Sequence, residues 1–249
     1  MKHLVLCIDI GGSHIKASVA DPRGRLVGPV VRHDTPARAS PQHVLGVIGA
    51  LEKDLPRYDR ISAGFPGVVR SGRIITAPNL GTKAWRGFDL AGHLTRMLGK
   101  PARILNDAEV QGLGVISGKG LELVITLGTG FGSALYRDGE IMPHMELGQH
   151  PMWHDETYDQ YLGHAALLAK GPKKWNRRLE RALGFIATLL DYDRLYIGGG
   201  NVKTVSLRLP KNVKRVANEA GITGGARLWD AVHDRLFDAG KQRKTSQRR

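Results

Sequence analysis

Leu4-Val-Leu-Cys-Ile-Asp-Ile-Gly-Gly-Ser-His-Ile-Lys16 stands almost at the start of the sequence. An apolar, partly β-branched run from Leu4 to Ile10 ends in Gly11-Gly12-Ser13. Val5, Ile8 and Ile10 favour a strand, and the near-continuous apolarity predicts burial on both faces. Two glycines then turn the chain where a Cβ would obstruct it, and they let backbone N–H groups approach an anion. Asp9 interrupts the run just before that turn. A buried carboxylate is costly unless it is paired or holds a metal. Lys16 lies just beyond. Acid, glycine pair, hydroxyl and cation at the end of a buried strand read as a phosphate and Mg²⁺ site, with Asp9 on the ion directly or through water. The same residues also fit a tight β-hairpin turn with a satisfied aspartate.

Working outward, the 249 residues make one large domain or two small ones. No apolar run reaches membrane-spanning length, and no charged-then-apolar leader precedes the first strand. Cys7 is the only cysteine, so an intrachain disulfide and a cysteine-based zinc site are both excluded. A cytoplasmic enzyme fits these features, and no membrane partner is expected. The net charge of +14 is unevenly spread. Residues 1–169 carry 18 Lys/Arg against 16 Asp/Glu, whereas residues 170–249 carry 19 against 7. The basic excess has two centres, 170–215 and the tail 241–249. It suggests either a polyanionic partner or a solvated helix face followed by a disordered basic tail. No repeat of solenoid or propeller period is present.

The patterns predict strands over 17–20 and 25–31, a helix over 41–55 started by Ser40-Pro41, a short strand over 61–64 and a strand or ribbon over 72–76. A loop over 77–81, a helix over 90–98 capped by Gly99, a strand over 102–105 and a helix over 108–116 follow. The opening theme then returns. A strand over 122–127 leads into Gly128-Thr129-Gly130-Phe131-Gly132, and another strand covers 133–136. Helices are expected over 158–168 and 174–190, the second with Trp175, Leu179, Leu183, Ile186 and Leu190 at helical spacing. A strand over 194–197 ends in Gly198-Gly199-Gly200. A last strand over 213–216 and a mostly helical 221–237 complete the chain, with disorder expected from residue 240.

Three glycine loops at strand ends, with Asn106-Asp107 between the first two, resemble the sugar kinases of the ROK family, within the actin-like superfamily. The matching segments are Asp9-Ile-Gly-Gly-Ser13, Gly67 in its Phe-Pro-Gly-Val turn, Pro78-Asn79-Leu80, Leu105-Asn-Asp-Ala108, Leu127-Gly-Thr-Gly130, Glu146-Leu-Gly148 and Gly198-Gly-Gly200. They occur in the family's order from residue 4 to about 230. Within the family, Leu127 to Leu135, the short length and the basic Lys173-Lys-Trp-Asn-Arg-Arg178 are similar to polyphosphate glucokinases.

The resemblance implies a two-lobed actin-like (ribonuclease H-like) α/β fold with a mixed sheet in each lobe and an interlobe cleft. The lobes are expected at 1–105 and 106–239, with a helix near 225–238 packing back on the first and a basic tail over 240–249. It implies a hexose kinase using polyphosphate, ATP or both as donor, Mg²⁺ as cofactor, and glucose as acceptor. Asp107 is then the general base, and Asn79, Asn106, Asp107, Glu146, Gln149 and Glu156 contact sugar hydroxyls. Asp9, Gly11, Gly12, Ser13, Lys16, Gly128, Thr129, Gly130, Gly199 and Gly200 hold the donor, which such an enzyme mainly positions and screens. By the residues alone, Asp107 also fits a helix N-cap, Asn79 a turn residue, Gly198 to Gly200 a strand-to-helix turn, and Lys16 a solvated strand residue. A homodimer is implied, and nucleic acid is not expected.

Two departures matter. After Glu146-Leu-Gly148 the family carries histidine, where this chain has Gln149 and then His150. The family's zinc-binding cysteine cluster is absent, so no zinc is expected, although His144, His150, His154, Asp155 and Glu156 crowd the region. The Gln149 change opens the identity of the hexose. It also keeps alive a sugar-binding or polyphosphate-binding protein without turnover, while the family's repressors and the basic tail, which could meet DNA, offer a sugar-responsive regulator as a separate alternative. Against a regulator, the kinase pattern begins at residue 4, ahead of which no helix-turn-helix fits.

Overall fold

The computed structural model describes residues 3–216 and 220–237. The chain divides into two compact units, Met1–Gly114 with Gly221–Arg249, and Val115–Ala220. The partition differs from the expected boundary at 105/106. The helix that starts at Asp107 packs on strands of the first unit, so it cannot open the second.

In the first unit, β1 (Val5–Ile10), β2 (His14–Ala20) and β3 (Val31–Asp34) form an antiparallel meander. Helix α1 (Pro41–Glu52) leads to β4 (Arg60–Phe65), parallel to β1. A small hairpin of β5 (Val69–Arg70) and β6 (Arg73–Ile74), then α2 (Thr82–Trp85) and α3 (Leu90–Leu98), precede β7 (Ala102–Asn106), parallel to β4. Helix α4 (Asp107–Leu113) follows at once. The sheet order is β3-β2-β1-β4-β7. Side chains alternate across β1. Leu6, Ile8 and Ile10 enter the main core with Val44 and Ile48 of α1, while Val5 and Cys7 pack on the other face.

The second unit opens with β8 (Leu121–Leu127), β9 (Phe131–Arg137) and β10 (Glu140–Ile141), again an antiparallel meander. A 3₁₀ turn, the short pair β11 (Pro151–Trp153) and β12 (Glu156–Thr157), and helices α5 (Tyr158–Leu162) and α6 (His164–Leu190) come next. Strands β13 (Arg194–Gly198) and β14 (Val213–Arg215) add in parallel, giving the order β10-β9-β8-β13-β14. Counting only the strands of each five-stranded sheet, both read 3-2-1-4-5. The core of this unit sets Leu123, Ile125 and Leu127 against Trp175, Leu179, Ala182 and Ile186 of α6. Helix α7 (Ala220–Arg227) returns to the first unit, where Ile222 and Ala226 cover Val5 and Cys7.

Several elements depart from the sequence expectation. The third strand covers Val31–Asp34, not 25–31. Pro29 cannot donate to a ladder, and a Cβ at Gly28 would sit 2.7 Å from the Pro56 ring, so this stretch runs as a loop with one bridge at Leu26. The ribbon over 72–76 is the tight β5–β6 hairpin. The helix over 158–168 breaks at Gly163, whose Cβ would lie 2.6 Å from the Thr129 carbonyl oxygen. Helix α6 then bends at Gly171 (φ 71°, ψ 161°), and Pro172 starts its second arm. The expected helix over 221–237 is interrupted by a 3₁₀ turn at Ala231–His233. Residues 238–249, with the basic tail, lie outside the described residues. Among the described residues no helix is long and apolar enough to cross a membrane.

Candidate active site

The first glycine turn closes β1 onto β2. Gly11 N–H donates to the His14 carbonyl (2.9 Å), and Ile10 pairs with Ile15. Thr35, just past β3, anchors the turn by donating its Oγ1 to the Gly11 carbonyl (2.7 Å) and its N–H to that of Ser13 (2.9 Å). The hairpin reading of this stretch is therefore correct as geometry. It also leaves Asp9 and Lys16 directly opposite each other in the ladder, with Nζ 4.0 Å from Oδ2 and each side chain about a quarter exposed. Burial raises the Asp9 carboxyl above its ordinary value, and the Lys16 charge pulls against that rise. One carboxylate in reach of water suits Mg²⁺, which keeps several waters and takes one or two carboxylates. Among the described residues no cluster of three His, Cys, Asp or Glu is arranged to hold a metal.

Asn106 and Asp107 divide the work at the start of α4. The Asn106 Oδ1 accepts the Ala108 N–H (2.9 Å), and Glu109 Oε2 accepts the Asn106 N–H (3.0 Å), a capping box. The Asn106 amide donates to the Gly67 carbonyl (3.2 Å), and the residue is only 5% exposed. Asn106 thus caps the helix and ties β7 to the Phe-Pro-Gly-Val turn. Asp107 is the first helical residue, half-buried, with Oδ1 accepting the Ala108 N–H at 2.8 Å. A Cβ at Gly64 would come within 3.1 Å of the Asp107 Cα, so β4 and α4 meet closely here. Asn79 lies exposed in the turn between β6 and α2.

The second glycine loop is held from more sides. Gly128 N–H donates to the Gly130 carbonyl (3.0 Å), and the Asn201 amide donates to the Gly128 carbonyl (3.0 Å). The His164 N–H, first in α6, donates to the carbonyls of Gly128 and Thr129 (2.9 and 3.2 Å). The Asp159 carboxylate takes the Phe131 N–H (2.5 Å) and the Gln149 amide (2.7 Å). Burial raises the Asp159 carboxyl, the Glu146 charge adds to this, and the two donors oppose it. Thr129 is exposed and Gly128 borders open space.

The other expected site residues separate into two groups. Gly200 is exposed with room around it, whereas Gly199 (φ 89°) is buried against the Leu127 backbone, 2.6 Å from its nitrogen to where a Cβ would stand. Gly199 therefore packs the loop and offers no surface to a donor. Glu146 is half-buried beside His144, whose Nε2 lies 3.3 Å from Oε2. Glu156 is tied to Arg178 (3.2 Å). Thr35, Asp159, His164 and Asn201 were not among the expected residues. Asn201 directly follows the triple glycine, and Asp159 sits inside the Thr157–Gln160 capping box. Those were the available signals.

Residues 5–151 match the ROK family. The polyphosphate glucokinase of Mycobacterium tuberculosis is 32% identical over 240 residues, spanning 88% of this chain and 88% of that protein. The solved inorganic polyphosphate/ATP-glucomannokinase of Arthrobacter sp. strain KM superposes with a TM-score of 0.81 at 31% identity, covering 90% of this chain and 97% of that one. A ROK family glucokinase from Streptomyces griseus, solved with glucose and AMPPNP, shares the fold with a TM-score of 0.77 at 18% identity, over 90% of this chain and 98% of that one. With its paired mixed sheets and its ordered loops, this chain has the actin-like α/β fold of those kinases and belongs to the ROK family.

Proposed function

We propose that this phosphotransferase moves a phosphoryl group from polyphosphate or ATP to a hexose hydroxyl, with glucose as acceptor and glucose 6-phosphate as product. The observation that carries the mechanism is the division of labour at α4. Asn106 completes the capping box with Glu109, and Asp107, sharing the Ala108 N–H, stands half-buried as the first residue of the helix. Asp107 then acts as general base. It takes the proton of the attacking hydroxyl as the new O–P bond forms and the bond to the departing phosphate breaks. Asn106 acts as a positioning residue. Asn79 and Glu146 present an amide and a carboxylate to sugar hydroxyls, while Gln149 reaches Asp159 and tunes the sugar end through the loop. Glu156, held by Arg178, is the weakest sugar contact of the set.

Thr129 and Gly130 bind donor phosphates through backbone N–H groups, Gly128 gives the donor room by carrying no side chain while its own N–H closes the loop, and Gly200 borders the open side. Gly12 and Ser13 do the same at the first turn, which Gly11 shapes with its N–H on the His14 carbonyl, and Lys16 adds a point charge. Asp9 is the residue that would hold Mg²⁺, and the bound ion would supply charge screening on the phosphates. The names of the relatives support the donor and acceptor classes. We also place the protein in the cytoplasm as a homodimer. A monomeric mass by light scattering would remove that last assignment.

The test crosses glucose, mannose and other hexoses with ATP, other nucleoside triphosphates and polyphosphate. Sugar phosphate is expected, most with glucose. Its absence from every pairing would overturn the reading.

A further inference from the structure

The second unit carries a groove of about 380 Å³ that belongs to neither glycine loop. Lys174, Arg177, Arg178 and Arg181 line it, recurring on α6 at intervals of three and four residues and so sharing one stripe. Two aromatic rings lie beneath the guanidinium groups. The Arg178 guanidinium sits 4.1 Å from the Tyr161 ring centre, and that of Arg181 sits 4.1 Å from the ring of Trp153. Arg181 also donates to the Tyr161 hydroxyl (2.8 Å), and Arg178 to the Tyr161 carbonyl (3.2 Å). Ring faces hold a guanidinium without neutralising it. Glu156 is the one carboxylate lining the groove, against four cations. Arg178 and Arg181 are thus held in place, and with Glu156 paired to Arg178 the groove keeps a net positive lining.

We propose that this groove binds the non-reacting length of a linear inorganic polyphosphate, an inference that rests on the polyphosphate arm of the kinase reading. From Lys174 to Arg181 the stripe runs about 10 Å along the helix. A row of that kind matches a ligand with charge at every unit, whereas a lone phosphate needs donors converging on one point. The rings argue against single-stranded nucleic acid. Bases are held by stacking on free aromatic faces, and here Tyr161 is buried with a guanidinium over its ring, while Trp153 has the Arg181 guanidinium over its ring and Phe185 beside it. The groove is also mounted close to the phosphate loop. Helix α5 is a single turn in which Asp159 holds the Phe131 N–H of the loop while Tyr161 supports the groove. Residues two apart point to opposite sides of a helix about 10–12 Å across. A polyphosphate chain ending at Gly128 to Gly130 therefore needs only to round that helix to reach the stripe. Lys173, adjacent in sequence, does not line the groove.

The test compares the whole protein with a Lys174→Gln/Arg177→Gln variant and an Arg181→Gln variant. Lys174 and Arg177 are exposed, so the first should fold normally. The KM for long-chain polyphosphate should rise about tenfold in the double variant, with kcat kept and the ATP and tripolyphosphate KM values within about twofold. Equal losses with ATP and polyphosphate, or an unchanged polyphosphate KM, would overturn the proposal. Calorimetry with long-chain polyphosphate, orthophosphate and a single-stranded oligonucleotide reads the groove without turnover. Polyphosphate binding by the parent that weakens in the variants supports the proposal even if no sugar phosphate forms, an outcome that would sink the kinase reading alone. Binding that is unchanged in the variants, or an oligonucleotide that binds more tightly than polyphosphate, contradicts it.

Discussion

The two glycine turns occupy the same place in the same strand order, between the first and second strands of a 3-2-1-4-5 sheet. They are nevertheless built differently. The turn after Ile10 is a hairpin anchored by its own backbone and by Thr35, with a charged pair, Asp9 and Lys16, facing across the ladder. At the matching rungs of the second sheet stand Thr126 and Gly132, which carry no charge. The turn after Leu127 relies instead on neighbours, namely Asn201, Asp159, the start of α6 and the close packing of Gly199. The contrast continues down the strands. Val5 packs on Ile222 and Ala226, whereas its counterpart Glu122 is a fully buried carboxylate. Glu122 accepts hydrogen bonds from the N–H groups of Ser117, Gly118 and Lys119 and from the hydroxyls of Ser117 and Tyr196. One duplicated frame thus presents charge at its first turn and a pinned backbone cradle at its second.

The sharpest way to break this contrast is Gly199→Val. The new side chain would meet the Leu127 backbone at a positive φ, and the second unit should lose about 3 kcal/mol or more, read as a large fall in Tm. A Tm within a degree of the parent would show that the cradle is not packed as described. Glu122→Gln comes next, with a loss of about 1–3 kcal/mol as donors lose their charged acceptor. Burial pushes the Glu122 carboxyl up, but hydrogen bonds from Ser117, Tyr196 and Gly118 outweigh that and hold it below the ordinary 4.5. Its stabilisation is therefore present above pH 4.5 and disappears as pH falls through the native value. The gap in Tm between parent and variant should close on acidification, and a gap that widens would contradict the assignment.

Asp9→Asn should act in the opposite sense. A carboxyl raised in the native state costs stability once ionised, so the variant should gain a few degrees at pH 7. That gain should fade as pH drops toward the ordinary 3.8, and sugar phosphorylation should weaken although the protein is more stable. A loss of stability at neutral pH would mean that the Lys16 pair outweighs burial. Gly128→Ala is the smallest change. No atom lies within 4 Å of the new methyl, so folding stability should stay within about 0.5 kcal/mol of the parent while the KM for the donor rises. An unchanged donor KM would take Gly128 out of the phosphate site.

The strands that carry the site were legible because their apolar runs end in glycine, as β1, β8 and β13 do. What the sequence hid was tertiary. The glycine at 163 is visible in the sequence, but its close approach to the Thr129 carbonyl, more than thirty residues away, exists only in the fold. The expected gap between helices at 168 and 174 holds the bend at Gly171, with Pro172 starting the second arm. Asn106 and Asp107 are both good caps in isolation, and only the capping box with Glu109 shows which one caps. Gly199 and Gly200 look alike in sequence, and packing makes one structural and one open. The groove on α6 was half visible as a basic run. The rings that fix it come from Trp153 and Tyr161, which the linear pattern does not connect to Arg181.

The most direct measurement is the turnover number of Asp107→Ala for glucose phosphorylation, with circular dichroism and glucose binding as controls. With Asn106 and Glu109 retaining the cap, the variant should fold and bind glucose while kcat falls by about 10²–10⁴ with both ATP and polyphosphate. A folded variant that turns over at the parent rate with either donor would contradict the assignment of Asp107 as the base.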